Sequence, residues 1–600
     1  MAHNNVFARA MEYFNPPAKM VPEEGWRSLR WLPKDLIAGT VMTPVSYVFA
    51  LSISVLALMS PTSGIYAGIL LCILLWYFKA TNQGIGGPAA ALAPILAGAI
   101  TALGVGSLAQ GQMLVLPVIF TAGLLMFIIA HMKWARFTHL ASPGVVEGSI
   151  LGYIGYSIVV KQVPIFYGVP FKEKSLLGIM SEAFERVGEI DWTIMKMGLA
   201  TLGIIIAHLV VASVLNATRK NRETPRLLER ILTMFPGMLI ATGVAIYFGY
   251  SLKLPPTALV RLPEHLTLDL TLCFTGFVFL LNHPNLWLKF GKYVGLLTLV
   301  DSVETCSTQL GLDQKDPHRR VVDPNLALKA AAVANMAGSQ AGNQSHITGG
   351  MKGGIANALG AQTRNTALIN GILMFVGIYF AATRDVLNHI PLVSLAAVIG
   401  FAGYRLCALK VWKHFWHLGR DPFLVFALGF LISAFTGDIL YGFFGAMAIE
   451  FCIYYRRSYQ SAKRHEHRGL DMSPRSIIRN MFRNPVVRAE VLDGVHIIEL
   501  DGPLTPFNRR FYPVCPAGVE DIFLDCDHHE VTFVDYSWQV QCQKDREACC
   551  GKSNFKVHGF KAVSRGAAPG LYRYERRHTD EPTNGLGRRQ ADPELSAQEV

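Results

Sequence analysis

Apolar stretches long enough to cross or half-cross a bilayer recur through residues 36–455. A full helical span needs about 20 predominantly apolar residues. The pattern predicts about fourteen elements, at 36–58, 61–79, 88–104, 112–131, 144–163, 194–217, 231–250, 290–311, 325–340, 348–359, 365–381, 391–407, 423–436 and 439–455. The stretch 272–287 is apolar too. It is short and holds Asn282, His283 and Pro284, so it reads as a re-entrant or interfacial piece. Past residue 455 the pattern changes. Val495–Leu500 alternates apolar and polar positions, Asp521–Asp525 and Val531–Val534 read as strands flanking a turn, 538–550 as a helix and 555–559 as a further strand. From Gly566 onward Gly, Pro, Arg and Glu dominate, which predicts disorder.

The resulting organisation is a short N-terminal segment (1–35), a transmembrane body (36–455), a basic linker (456–485), a small α/β domain (486–565) and a tail (566–600). Charge follows the same division: 56 of the first 455 residues are charged, against 42 of the last 145. Such a distribution excludes a soluble enzyme, a fibre or a disordered chain for the bulk of the protein. Most of the formal +12 lies in the membrane part, where cytoplasmic loops collect Lys and Arg, so nucleic acid is not an expected partner.

Basic residues orient the body. With Arg27, Arg30 and Lys34 inside, the alternate loops carrying Lys79, Lys133 and Arg136, Arg219–Arg230, Lys315, Arg319 and Arg320, Arg364, Lys410 and Lys413, and Arg456 and Arg457 all fall inside. Both termini are then cytoplasmic, the membrane is the plasma (inner) membrane, and the loop 166–192 lies outside. The ten cysteines suggest no disulfide framework in that compartment. Cys526, His528, His529, Cys549 and Cys550 lack a paired C-x-x-C spacing and read as strand and turn residues rather than a zinc site.

Two segments are unusually short and rich in glycine: Gly84-Ile-Gly-Gly-Pro88-Ala89-Ala-Ala91 and Ile347-Thr-Gly349-Gly350-Met-Lys352-Gly-Gly354. They are the third and tenth segments, the same place in two sets of seven. Interrupted spans at matching positions point to an inverted-repeat transporter with a midplane site, although glycine also serves close helix packing. Pro88 suits the first turn of a helix, because that N–H has no partner anyway. Two helix starts aimed at each other would form an anion cradle. Lys352 would attract an anion there, or else snorkel to the interface. Asp301 lies ten residues into an apolar run, with Thr305 one turn on; carboxylate, hydroxyl and unwound carbonyls suit a hard cation such as Na⁺. Glu304 could carry a proton instead, and Glu147 is a further intramembrane acid, functional or salt-bridged. No catalytic triad, phosphate loop or nucleotide fingerprint accompanies them, so no enzyme and no cofactor is assigned.

These residues resemble the SulP (sulfate permease) family of anion transporters. The resemblance spans roughly 33–560 and is carried by Pro33-Lys-Asp35…Gly39…Pro44…Ala50 with Pro61…Gly64-Ile-Tyr66, by Gly86-Gly87-Pro88, by Asp301 through Thr305 to Asp313, and by Asn335 through Lys352 to Thr363-Arg364. It implies an α-helical polytopic membrane protein with a 7+7 inverted-repeat transporter fold, core and gate domains, and a cytoplasmic α/β STAS-like domain. It further implies an anion site with Gly87, Pro88 and Ala89 on one wall and Gly349, Gly350 and Lys352 on the other. In sodium–bicarbonate symporters of the family the eighth helix supplies an Asp and a Thr to Na⁺, and Asp301 and Thr305 match that pair. The sequence departs from the pattern at Val45, where glutamine is usual, at Gly350 and Met351, where serines are common, and at Asp535-Tyr-Ser-Trp538 in the tail. The expectation is a secondary transporter of bicarbonate or sulfate, coupled to Na⁺ or H⁺ and paired as a homodimer. A nucleobase or dicarboxylate carrier of the same fold, or a non-transporting membrane sensor or scaffold, are the alternatives.

Overall fold

The computed structural model describes residues 25–135, 141–173, 175–218, 236–263, 270–313, 320–464, 473–492, 494–513 and 521–525. It also describes residues 22, 315, 316, 318, 519, 533–534, 538–539, 542, 560–565 and 572–576. Each of the fourteen apolar stretches corresponds to a helix or a strand–helix pair. The first set comprises α1 (Leu32–Leu56), α2 (Pro61–Tyr77), β1 (Ile85–Pro88) with α3 (Ala93–Leu103), α4 (Leu108–His131), α5 (Pro143–Tyr167), α6 (Trp192–Thr218) and α7 (Gly237–Ser251). The second comprises α8 (Trp287–Asp313), α9 (Pro324–Gln340), β2 (His346–Gly349) with α10 (Gly350–Ala358), α11 (Asn365–Tyr379), α12 (Leu392–Cys407), α13 (Arg420–Thr436) and α14 (Ile439–Arg464). The ambiguous stretch is a separate short helix, Leu272–Asn282. The chain bends by 89° between α11 and the helix Ala381–Asn388. Among the described residues five helices are long and apolar enough to cross a membrane, or six if that bent pair counts as one. Of the others, α8 and α14 are long but carry charged residues such as Lys289, Lys292, Asp301 and Glu304 on α8 and Glu450, Arg456 and Arg457 on α14, while α2, α3, α7 and α10 are short.

Small side chains set how closely the helices pack. Ala330, Ala331, Ala332 and Ala334 of α9 are buried against Leu71 and Leu75 of α2 on one side and Met126 and Ala130 of α4 on the other. A Cβ added at Gly123 would lie 2.9 Å from the Ala332 carbonyl oxygen, so α4 and α9 approach almost backbone to backbone. The two sets are also tied by polar contacts. Asp35 at the start of α1 is buried and accepts from the backbone N–H groups of Gln362 (2.7 Å) and Thr363 (3.0 Å) and from the hydroxyls of Thr363 (2.5 Å) and Thr366 (3.0 Å). Further along, Tyr47 donates to the Met374 carbonyl at 2.6 Å. By contrast α6 leaves Leu199, Ile206, Leu209, Val210 and Val214 exposed, a face suited to lipid.

The contacts divide the chain into two units. One holds residues 1–138, 149–409 and 430–442; the other holds 139–148, 410–429 and 443–600. The second contains the C-terminal sheet region. There β3 (Val486–Leu492) and β4 (Val495–Leu500) form a hairpin whose turn places Gly494 at φ 79°, and β4 pairs in parallel with β5 (Asp521–Asp525). Ile498, Leu500, Leu504, Ile522, Leu524 and Trp538 form its core. Tyr454 of α14 packs with Ile477, Met481 and Phe507, joining helix and tail. A second sheet has the order β6 (Phe533–Val534), β8 (Tyr572–Arg576), β7 (Phe560–Arg565). β8 falls in the stretch whose composition predicts disorder; its alternating Tyr572, Tyr574 pattern is strand-like instead. The turn 535–537, most of the expected helix 538–550, the expected strand 555–559 and the cysteine–histidine group at 526–529 and 549–550 lie outside the described residues.

Candidate functional site

An unwound segment inside a bilayer must find hydrogen-bond partners for its backbone. The two glycine-rich segments find them in each other. β1 and β2 form an antiparallel ladder with Ile85 opposite Gly349, Gly86 opposite Thr348, Gly87 opposite Ile347 and Pro88 opposite His346. Pro88 is therefore not the first residue of a helix, as the sequence suggests. It ends a strand, where a missing N–H costs nothing at a ladder's edge, and α3 begins only at Ala93, with Pro94 filling the early helical position instead. Ala89 is buried in the turn between the two.

Neither broken helix has a side-chain cap: α3 starts after Leu92 and α10 after Gly349. At α3 the Ala93 N–H donates to the Ala90 carbonyl at 3.4 Å and Pro94 has no N–H, so what the two starts offer in common is the positive end of each dipole. Lys352, in the first turn of α10, is only 4% exposed, so it does not snorkel. Its ammonium donates to the Gly86 carbonyl at 2.6 Å, bridging the two broken spans, and makes no other hydrogen bond or ion pair among the described residues. The neighbouring glycines are what make room for it. A Cβ at Gly87 would sit 2.0 Å from Nζ, and one at Gly349 would sit 2.6 Å from Cε. Gly350 instead faces Thr308 of α8, at 3.1 Å from an added Cβ.

Asp301 is fully buried on α8. Its carboxylate accepts from the Thr305 hydroxyl (3.1 Å), the Asn335 amide (2.8 Å) and the Ser345 hydroxyl (3.2 Å). Asn335 in turn accepts from the backbone N–H of His346 at 2.8 Å, and its oxygen lies 3.1 Å from His346 Nδ1. His346 opens β2, opposite Pro88. The acidic group of α8 is thus joined through one amide to the strand pair. Among the described residues all of Asp301's partners are neutral, and no basic side chain pairs with it. Several buried oxygens on the same segments have no protein partner: Glu304 Oε2, Asn343 Oδ1, Gln344 Oε1 and Thr348 Oγ1. Such oxygens call for a donor or a cation. Glu147 stands apart, half-buried in the π-helical turn Val146–Gly152 of α5.

The structure therefore brings together Gly87, Pro88, Gly349 and Lys352, and separately Asp301 and Thr305. Asn335, Ser345 and His346 complete the second group and were not picked out as site residues. The signal was there: Asn343-Gln-Ser-His346 puts four consecutive polar residues in a segment read as part of a span. Among the described residues no group of three His, Cys, Asp or Glu side chains could hold a metal ion.

The model of the sulfate permease family matches residues 32–429. A putative sulfate transporter of Bacillus subtilis, YvdB, is 23% identical over 487 residues, covering 80% of this chain and 81% of its own. Among solved structures, the transmembrane domain of a cyanobacterial bicarbonate transporter, BicA, aligns with a TM-score of 0.57 at 17% identity. That alignment covers 69% of this chain and 97% of that one. The murine Solute Carrier 26 family member A9 anion transporter, in its inward-facing state, aligns with a TM-score of 0.56 at 15% identity over 86% of this chain and 85% of its own. The fold is the 7+7 inverted repeat of these proteins, and the broken third and tenth spans, paired through β1 and β2, are its central feature. The chain belongs to the sulfate permease family, whose members are multi-pass membrane transporters and not enzymes.

Proposed function

We propose that the protein moves sulfate or bicarbonate across the plasma membrane, driven by Na⁺ or H⁺, with both termini in the cytoplasm. The observation that carries the reading is Lys352, buried in the first turn of uncapped α10 and held on the Gly86 carbonyl of β1. An anion there meets one full positive charge and two partial ones, each helix end being equivalent to about half a charge. Gly87, Pro88 and Ala89 form one wall, and Gly349 and Lys352 the other; Gly350 lies beside them, against Thr308 of α8. A nucleobase or dicarboxylate would need side-chain amides or further cations on these walls, and glycine and alanine supply neither.

Asp301 is the coupling group. A buried carboxylate with only neutral partners is completed by a cation or a proton. For Na⁺, the oxygens of Asp301, Thr305 and Ser345 are the fitting hard ligands. For H⁺, Asp301 itself or Glu304, whose Oε2 has no protein partner, is the acceptor. The charge of the bound cation and that of the anion offset each other, so joint occupancy is favoured over either alone. The β3–β5 region is a STAS-like domain, and the protein works as a homodimer, as the family resemblance implies.

The test is uptake of labelled sulfate and bicarbonate into proteoliposomes under an imposed Na⁺ or pH gradient. Asp301→Asn is expected to abolish gradient-driven uptake while leaving Na⁺- and pH-independent exchange measurable. Undiminished gradient dependence in that variant rejects the role of Asp301, and no flux of either anion in the parent chain rejects the function.

A further inference from the structure

A cavity of about 370 Å³ lies within the larger unit, away from the ladder. α5 contributes Ser157 and Lys161, α8 contributes Lys292, and the turn between α13 and α14 contributes Asp438. Pro94, in the first turn of α3, lines it as well, so the cavity reaches the helix start assigned above to the anion. By the distribution of basic residues, the end of α5, the start of α8 and the turn at Gly437 face outside.

The charges in this space do not cancel. Lys292 is paired with Asp438 at 2.5 Å, and the other Asp438 oxygen accepts from the backbone N–H of Leu440 at 3.0 Å. Lys161 has no such neighbour. It is half-buried, lines the cavity, and makes no hydrogen bond or ion pair among the described residues. An intramembrane lysine is costly unless it faces water or a partner. What the ammonium supplies is one uncompensated positive charge in a concave space of ligand size.

We propose that this cavity is an outer anion vestibule in which Lys161 holds a small inorganic oxyanion, sulfate or bicarbonate, before it reaches the first turn of α3. The proposal rests on the anion-transport reading and adds to it a second site. Lys292 is not the binding group, because Asp438 neutralises it. The pair instead joins α8 to the α13–α14 turn at the cavity wall, and leaves the field there to Lys161.

Two measurements test this. Lys161→Gln is expected to raise the KM for external anion about tenfold, the loss of one charge-assisted contact, with kcat within about twofold of the parent because Lys161 is outside the paired helix starts. Lys161→Arg should restore the parent KM. In the second measurement, Lys161→Cys is modified from outside by a membrane-impermeant methanethiosulfonate, with the parent chain treated in parallel to subtract reaction at native thiols. Sulfate or bicarbonate should slow the modification saturably, relative to gluconate at equal ionic strength. Equal rates in sulfate, bicarbonate and gluconate, a thiol unreachable from outside, or an unchanged KM in Lys161→Gln would each overturn the vestibule. Protection does not require turnover. If the parent chain moved neither anion, transport would fail as a reading while the protection result still decided the vestibule.

Discussion

Replacing Gly87 by alanine tests the central geometry with a single methyl group. Gly87 has ordinary backbone angles, so the substitution adds no φ strain. What it adds is a Cβ 2.0 Å from Lys352 Nζ and 3.3 Å from Cε. Contacts of this kind are not found below 3.0 Å, so the ammonium must retreat by about 1 Å or more. That movement displaces the ammonium from its 2.6 Å bond to the Gly86 carbonyl. A hydrogen bond to a charged group is worth roughly 1.5–3 kcal/mol, and more when the charge is left buried without it. At 1.4 kcal/mol per decade, the loss corresponds to about a 12- to 150-fold weakening. The expected results are a raised KM for sulfate or bicarbonate in proteoliposome uptake, because the ammonium is displaced, and a lowered thermal midpoint in detergent. The decisive arm is the double variant. In a Lys352→Ala background there is no ammonium to displace, so Gly87→Ala should cost less than about 0.5 kcal/mol of stability, the error expected of independent sites. An equal cost in both backgrounds would mean that the methyl group disturbs the ladder and not the lysine, and the bridging role of Lys352 would be wrong.

Three further outcomes follow from other contacts. Asp35→Ala removes the acceptor of four hydrogen bonds from Gln362, Thr363 and Thr366, two of them from backbone N–H groups. It should destabilise by about 3 kcal/mol or more, since each stranded donor costs about 1–3 kcal/mol; a thermal midpoint within error of the parent would contradict this. Asn335→Ala strips both Asp301 and His346 of a partner, so it should weaken apparent cation affinity more than Thr305→Val does, measured as the cation concentration giving half-maximal uptake. Finally, hydrogen bonds from the Glu173 backbone, then from the Lys172 backbone and Arg186, hold the Glu182 carboxyl below its ordinary value. A depressed carboxyl contributes stability above its unfolded pKa, and the contribution is lost as pH falls through the folded value. The amides of Lys172 and Glu173 should therefore lose protection on acidification, in hydrogen exchange corrected for intrinsic rates, while Glu182→Gln should show a flat profile.

What could be read in the sequence divides along a physical line. Hydropathy located every span, because a bilayer demands a contiguous apolar run of fixed length. Glycine marked both broken spans, because there it clusters where two unwound backbones pair and a lysine lies within contact distance. Pro88 misled because proline suits two places, the first turn of a helix and the edge of a strand, and nothing local separates them. The separation comes from His346, 258 positions later, which stands opposite it in the ladder. The same limit hid Asn335, Ser345 and His346. Each is a common polar residue, and only the packing of α8 against α9 and β2 turns them into a shell around Asp301. Lys352 was legible as a charge in an apolar run, but its partner was not, since a backbone carbonyl has no signature in sequence.

The ladder also constrains how such a protein can move. Separating β1 from β2 would leave backbone donors and acceptors unpaired at membrane depth, and the Lys352 ammonium without the Gly86 carbonyl. Unsatisfied groups in that environment cost several kcal/mol each. The two broken spans are therefore bound to travel together, as one body that carries both helix starts and, through Asn335, the Asp301 carboxylate. Under the proposed function, access cannot alternate by parting the two helix starts along their own seam. It has to arise from the surfaces that face the pair, and α5, with Lys161 lining a cavity that touches the first turn of α3, is one of those surfaces.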